Sequence, residues 1–163
     1  MSSVPFLHAI SKVTQLITTA DTPQIIDIDT QKIINDIALN LDTDEVTIEE
    51  AGVYYVSIVA QVAREDTCNE DIPNIRFFVK NNDVDILDSN SLVNINRHRE
   101  TRASYGRDFL LYLNESDVLT FYMSSNVDAL TKIEYIDQTG EPDVPAFSLT
   151  IFKMGTDGES TCL

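Results

Sequence analysis

The chain has 163 residues, 43% of them hydrophobic, and its 27 acidic against 11 basic side chains give a formal net charge of −16. That is the size of one domain able to bury a core without disulfides or a structural metal, and its negative surface repels phosphate backbones and anionic lipid, which excludes nucleic acid and a membrane as partners. No window approaches the roughly 20 apolar residues of a membrane span, and the opening MSSVPFLHAISK lacks the basic start and long apolar run of a secretory signal, so neither insertion nor the usual export route is expected.

Residues 1–154 read as a single domain and residues 155–163, GTDGESTCL, as a flexible tail. Between them run short stretches rich in Val, Ile, Tyr, Phe and Thr, separated by Asp, Asn, Ser, Gly and Pro clusters, which is the signal of an all-β sandwich. In chain order the strands are expected at Lys12–Thr18, Ile25–Asp29, Ile33–Asn40, Glu45–Glu49, Val53–Ala63, Asn74–Lys80, Val84–Leu87, Leu92–Asn96, Asp108–Leu113, Val118–Ser124, Lys132–Ile136 and Ala146–Met154. The segment Gln31–Leu41, QKIINDIALNL, fits a strand or a short helix equally, because period alone does not separate the two over so few residues.

Strand parity carries more than strand position, since successive side chains point to opposite faces. Ile75, Phe77 and Val79 alternate with Arg76, Phe78 and Lys80, and Leu119, Phe121 and Met123 with Thr120, Tyr122 and Ser124, so these strands have one core face and one wet face. The stretch from Val53 to Ala63 differs. Tyr54, Val56, Ile58, Ala60 and Val62 are all apolar, and the opposite set Val53, Tyr55, Ser57, Val59 and Gln61 carries no charge. Phe109, Leu111 and Leu113 are likewise backed by Leu110 and Tyr112, and Phe147, Leu149 and Ile151 by Ser148, Thr150 and Phe152. Three strands without a charged face in so acidic a chain need a cover, and the simplest cover is another copy of the chain.

Asp44–Val56, DEVTIEEAGVYYV, resembles the short strand, Glu-Ala-Gly-type turn and Gly-x-Tyr-Tyr start of the long central strand in the C1q and tumour necrosis factor superfamily. Phe77–Asn82, FFVKNN, resembles that family's strand-and-hairpin element, with Asn81-Asn82-Asp83 in place of Asn-Gly. Phe109–Thr120, FLLYLNESDVLT, looks like its leucine-rich strand, acidic turn and next strand. Ala146–Met154, AFSLTIFKM, is similar to the closing strand of its bacterial and viral branch, which includes collagen-like spore-surface glycoproteins and heads of some phage fibres. The resemblance, from about Lys12 to Met154, implies a two-sheet antiparallel jelly-roll sandwich of about ten strands. It also implies a homotrimer closed through the inner sheet, to which the three uncharged strands belong. No collagen-like repeat precedes the domain, and the C1q cysteine pattern is missing.

By parity, Tyr55, Ser57, Val59, Tyr112 and Phe152 are then expected at the trimer interface. A basic cluster, Arg97, Arg99, Arg102 and Arg107, offers intersubunit contacts or a site for an anion such as a charged glycan. Acidic loops place Asp42 and Asp44, and Glu65, Asp66 and Asp71, where they could offer oxygen ligands to calcium, though neither has the spacing of a calcium loop and solvated negative loops are the plainer reading. No other cofactor is indicated. His8 and His98 have no nucleophile motif near them, so no catalytic residue is assigned and the chain is not read as an enzyme. Cys68 and Cys162 form neither a disulfide framework nor a zinc spacing. The expected role is a structural or attachment protein on a cell surface, spore coat or exosporium, or phage particle. Its partners would be its own copies and a surface-layer protein or glycan. The alternative is a carbohydrate- or receptor-binding head.

Overall fold

A computed structural model of the chain describes residues 4–65, 71–95 and 102–155. Among them the chain forms β-strands and no helix. In order these are β1 (Phe6–Ser11), β2 (Gln15–Leu16), β3 (Gln24–Ile25), β4 (Thr30–Asn35), β5 (Ile37–Asn40), β6 (Glu45–Ile48) and β7 (Gly52–Arg64). They continue with β8 (Asn74–Asn81), β9 (Val84–Asp85), β10 (Ser91–Asn94), β11 (Arg102–Leu113), β12 (Val118–Ser125), β13 (Thr131–Ile133) and β14 (Phe147–Gly155).

The strands make two antiparallel sheets. In the first the order is β2-β13-β7-β14-β1-β4, with β11 along the free side of β7; in the second it is β10-β8-β12-β6-β5, with β3 on β12 and β9 on β8. Consecutive strands repeatedly land in different sheets, which is the winding of a jelly roll. Alternate residues of both sheets meet in one core. Leu7, Tyr54, Val56, Phe147 and Ile151 come from the first sheet, and Val46, Phe77, Val79, Leu119 and Phe121 from the second. The Phe121 and Phe147 rings meet between the sheets with centroids 6.2 Å apart. Burying each such side chain contributes about 1.5–3 kcal/mol, which is what holds two sheets together without a disulfide or metal.

The structure departs from the sequence expectation at several elements. The first strand is Phe6–Ser11, ahead of the expected start at Lys12, and only Gln15–Leu16 of the expected Lys12–Thr18 is strand. Its inward Leu7 and Ala9 are fully buried between β14 and β4. His8 and the single Ala kept that alternation from standing out. The ambiguous Gln31–Leu41 is neither a helix nor one strand. Asp36, with φ 49°, breaks it into β4 and β5, so the chain leaves the first sheet and enters the second at one left-handed residue. β11 begins at Arg102 rather than Asp108, and pairs with β7 over its whole length from Arg102↔Ala63 to Leu113↔Gly52. Isoleucines 26 and 28 belong to the core, but only Gln24–Ile25 there is strand.

The hairpin between β8 and β9 turns on Asn82 and Asp83, with φ 50° and 64°. Two consecutive left-handed residues are the signature of the I′ turn, whose twist matches the flanking strands, so Asn-Asp fills the place of the usual Asn-Gly. Residue 155, expected in a flexible tail, is the last residue of β14; residues 156–163 lie outside the described part.

Candidate functional site

The open face of the first sheet takes its shape from the turn that starts β7. Tyr54 is fully buried, and its hydroxyl donates to the Glu50 carbonyl at 2.6 Å. Burial and the nearby Glu50 and Asp36 carboxylates push its pKa up to about 12, so it stays a neutral donor. Gly52 is required by close approach: a Cβ there would overlap the Lys153 side chain and lie 2.7 Å from the Gly155 carbonyl. The Lys153 ammonium, almost buried, reaches Glu50 Oε1 at 2.6 Å. Anchored this way, β7 sends Tyr54, Val56, Ile58, Ala60 and Val62 into the core and Val53, Tyr55, Ser57, Val59 and Gln61 outward.

Registers across the sheet line these outward residues into rows. Leu110, Tyr55, Phe152 and Phe6 form one row; Asp108, Ser57, Thr150, His8 and Ile33 the next; Gly106, Val59, Ser148 and Ile10 a third. Tyr55 packs on Phe152 with ring centroids 4.9 Å apart. A side-chain hydrogen bond to the Asp108 carboxylate, with burial adding to it, raises the Tyr55 pKa, and Ser57 bonds to the same hydroxyl. His8 Nδ1 lies 3.1 Å from Thr150 Oγ1. Leu110 is 65% exposed and Tyr112, Val59 and Ile33 are also open to solvent. The band from Gly106 to Tyr112, Val53 to Val59 and Ser148 to Phe152 is therefore apolar and aromatic, with Asp108 its one charged side chain.

One end of the band is closed by charge. Arg102 Nε lies 2.5 Å from Glu134 Oε2, and the Lys132 ammonium bridges Glu134 at 3.1 Å and Glu65 at 2.8 Å. Arg102, set against some burial, and then Lys132 hold the Glu134 carboxyl below its usual range. Burial works against the Lys132 ammonium, but its hydrogen bonds to Glu65 and Glu134 leave its pKa raised.

All five residues expected at an interface, Tyr55, Ser57, Val59, Tyr112 and Phe152, lie on this one face. The sequence reading omitted Asp108, Leu110, Phe6, His8 and Ile33 from it. Period-two parity was enough to find Leu110 and Asp108, whereas Phe6, His8 and Ile33 needed the pairing of β1 with β14 and β4.

Of the basic cluster, the two described members, Arg102 and Arg107, do not share a site. Arg102 belongs to the ion-pair group just described, while Arg107 points to the other side of β11 and donates to the backbone carbonyls of Asp88 at 2.7 Å and Asn90 at 3.4 Å. Arg97 and Arg99, like Asp66, lie outside the described residues. Of the acidic loops, Asp44 accepts the Ile28 N–H at 2.7 Å, and its pKa is raised by burial, against that hydrogen bond, with Asp27 and Asp29 adding to the rise. Asp42 donates its backbone N–H to the Asn40 side-chain oxygen at 2.9 Å, Glu65 pairs with Lys132, and the Asp71 carbonyl accepts from Arg64. Among the described residues no three His, Cys, Asp or Glu side chains converge as a metal site, and no helix is long and apolar enough to cross a membrane.

Two antiparallel sheets wound in this order make the fold a two-sheet jelly roll of the tumour necrosis factor and C1q type. Among solved structures, the tumour necrosis factor Eiger from S. frugiperda is similar over 98% of this chain and 98% of its own, with 13% sequence identity and a TM-score of 0.55. No family model and no curated protein matches the sequence.

Proposed function

We propose that the chain is a non-enzymatic structural or attachment protein that works as a homotrimer, closed through the open face of the first sheet. The observation that supports this most is the band of Tyr55, Phe152, Leu110, Tyr112 and Val59. It is a contiguous apolar surface on a chain of net charge −16, to which three adjacent strands contribute a single charged side chain, Asp108. A ring of copies buries that surface without needing any other partner. The resemblance of Ala146–Met154 to the closing strand of spore-surface and phage-borne relatives of the fold supports a place on a bacterial surface, spore coat or exosporium, or phage particle. The role is then mechanical, with the first sheets closed around an axis and the second sheets and loops turned outward.

Light scattering on the purified chain at micromolar concentration tests the assembly. A particle of three times the 18.3 kDa chain mass is expected, and a monomer at that concentration overturns the reading.

A second reading, a carbohydrate- or receptor-binding head built on the same trimer, is supported by the β9–β10 loop. There Leu87 stands 88% exposed beside a groove of about 250 Å³ floored by Phe78 and Ile86. The loop is held in place by Arg107 and by the Ser89 hydroxyl, which lies 3.1 Å from the Val79 nitrogen. Glycan-array binding that Leu87→Ser abolishes would favour this role over a purely structural one.

A further inference from the structure

A ring of copies is a heterologous assembly: one edge of a surface patch on each subunit meets the opposite edge of the same patch on the next. The open face of the first sheet has two such edges. β11 forms one and β4 the other, separated by the three strands β7, β14 and β1. Each edge carries one charge that the rest of the fold does not answer with an ion pair.

On the β11 edge this charge is Asp108. Its register partner is Ser57, its outward neighbours along the strand are Gly106 and Leu110, and its side-chain bond is to the Tyr55 hydroxyl. Its bonding partner is a neutral phenol, so among the described residues no cation pairs with this carboxyl. The other cations of the face, Arg102 and Lys132, are committed to Glu134 and Glu65 at its far end. Arg107, next in sequence, points to the opposite side of the strand.

On the β4 edge the charge is Lys32. Alone among the described lysines and arginines, it forms no ion pair or hydrogen bond within the chain. It is exposed, and it is also the extra residue of a β-bulge. His8 pairs with Ile33 and Ala9 with Gln31, so Lys32 has no partner on β1. Bulges are the usual device by which a strand re-aims a side chain at its edge. The row that contains Asp108 runs through Ser57, Thr150 and His8 to Ile33, the residue beside Lys32. Asp108 thus stands at one end of the row, and Lys32, of opposite sign, sits on the bulge beside its other end.

We propose that Asp108 of each subunit pairs with Lys32 of the neighbouring copy and sets the register of the ring, a step that rests on the first-sheet face being the assembly face. Three such pairs would form per trimer. In this arrangement the apolar band supplies the adhesion, and the charge pair selects the one rotation at which both ends of the row meet.

Charge reversal tests it. Asp108→Lys, Lys32→Glu and the double variant are compared with the wild-type chain by sedimentation over a dilution series, with circular dichroism confirming that each folds. Each single variant is expected to raise the concentration for half-dissociation roughly tenfold or more, since like charges then face one another, and the double variant to recover most of the loss. Asp108→Asn and Lys32→Gln, which remove charge without reversing it, serve if a reversed variant does not fold, and each is expected to weaken assembly in the same direction. Singles that assemble like the wild type, or a double variant no better than the weaker single, overturn the pairing while leaving the trimer standing. A monomeric wild type overturns the assembly reading instead, so the two failures are distinguishable.

Discussion

The two outward faces of the sandwich each carry an aromatic pair, and they treat it differently. On the second sheet Phe78 and Tyr122 stack nearly parallel, with centroids 5.3 Å apart. The Lys80 ammonium sits 5.0 Å from the Tyr122 ring centre and 3.8 Å from Asp85, and Arg76 reaches Asp21 at 3.3 Å. The chain thus finishes this face with its own charges. On the first sheet Tyr55 and Phe152 lie slightly closer, 4.9 Å apart, but they are flanked by Leu110, Val59 and Tyr112, and charge enters only at Asp108, at Lys32 on the β4 edge and at the Arg102 end. Aromatic content therefore does not separate a wet face from one that needs a partner. The supply of charged neighbours from the same chain does.

The widest break between the faces is expected from a carboxylate on each. Val59→Asp places three like charges in the band without a counter-ion and should give a monomeric or insoluble protein, read by light scattering. The matched control is Leu92→Asp. Leu92 is 53% exposed on the outward face of β10, opposite Arg76, and the variant should assemble as the wild type. Thr120, which parity alone marks as an outward control, is only 5% exposed between Glu45 and Lys80 and would confound fold with assembly. If both Asp variants assembled unchanged, the first-sheet face would not be the interface.

Truncating one ring on each face sharpens the same contrast at smaller amplitude. Tyr55→Ala removes the central ring and the hydroxyl that holds Asp108, and should weaken assembly roughly thirtyfold or more, as central interface aromatics do. Phe78→Ala removes a ring whose partner is in its own chain. It should lower the melting temperature, by an aromatic-pair contribution of about 0.5–1.5 kcal/mol plus the lost burial, and leave the dissociation midpoint where it was. A shift of that midpoint in Phe78→Ala equal to that in Tyr55→Ala would erase the distinction between the faces.

The sandwich and the apolar outward face of its first sheet were legible because both depend on period-two alternation, which long strands such as β7 and β14 display over nine or more residues. Short elements were not. Strand β1 hides behind a histidine and an alanine, and its loss from the sequence reading also removed Phe6, His8 and Ile33 from the site. Gln31–Leu41 looked continuous because the residue that divides it, Asp36, acts through a left-handed backbone that composition only hints at. Thr120 shows the limit of parity, which assigns a side but not an exposure; the long side chains of Glu45 and Lys80 beside it set the exposure. Arg102 and Arg107 were grouped for a different reason: with the strand expected to begin only at Asp108, the alternation that puts them on opposite faces of β11 was not applied to them.

The smallest expected effect comes from Asp117, which strengthens the fold without touching either face. It is 7% exposed at the turn from β11 to β12, where its Oδ2 accepts the Asn114 N–H at 2.8 Å and its Oδ1 the Asn82 amide at 2.9 Å. Asn82 in turn accepts the Val118 N–H at 3.0 Å, so the carboxylate ties the β8–β9 hairpin to this turn. Burial acts to raise its pKa, but the donors from Asn114, Asn81 and Asn82 outweigh it and hold the carboxyl below its ordinary value of 3.8. A carboxyl depressed in the folded state contributes stability that is fully present above its unfolded pKa and is lost as pH falls through the folded one. Asp117→Asn should therefore melt lower at neutral pH, by roughly 1 kcal/mol or about 2–4 °C. That gap should close as pH falls below the ordinary carboxyl value of 3.8 and through the depressed folded-state pKa, where the wild-type carboxylate is protonated as well. Because Asp117 faces neither the apolar band nor the Phe78–Tyr122 pair, the variant's dissociation midpoint at neutral pH should match the wild type. A gap that persists unchanged into acid would mean that the Asn114 and Asn82 bonds are kept by either protonation state, and a shifted midpoint would show that the turn reports to the assembly face.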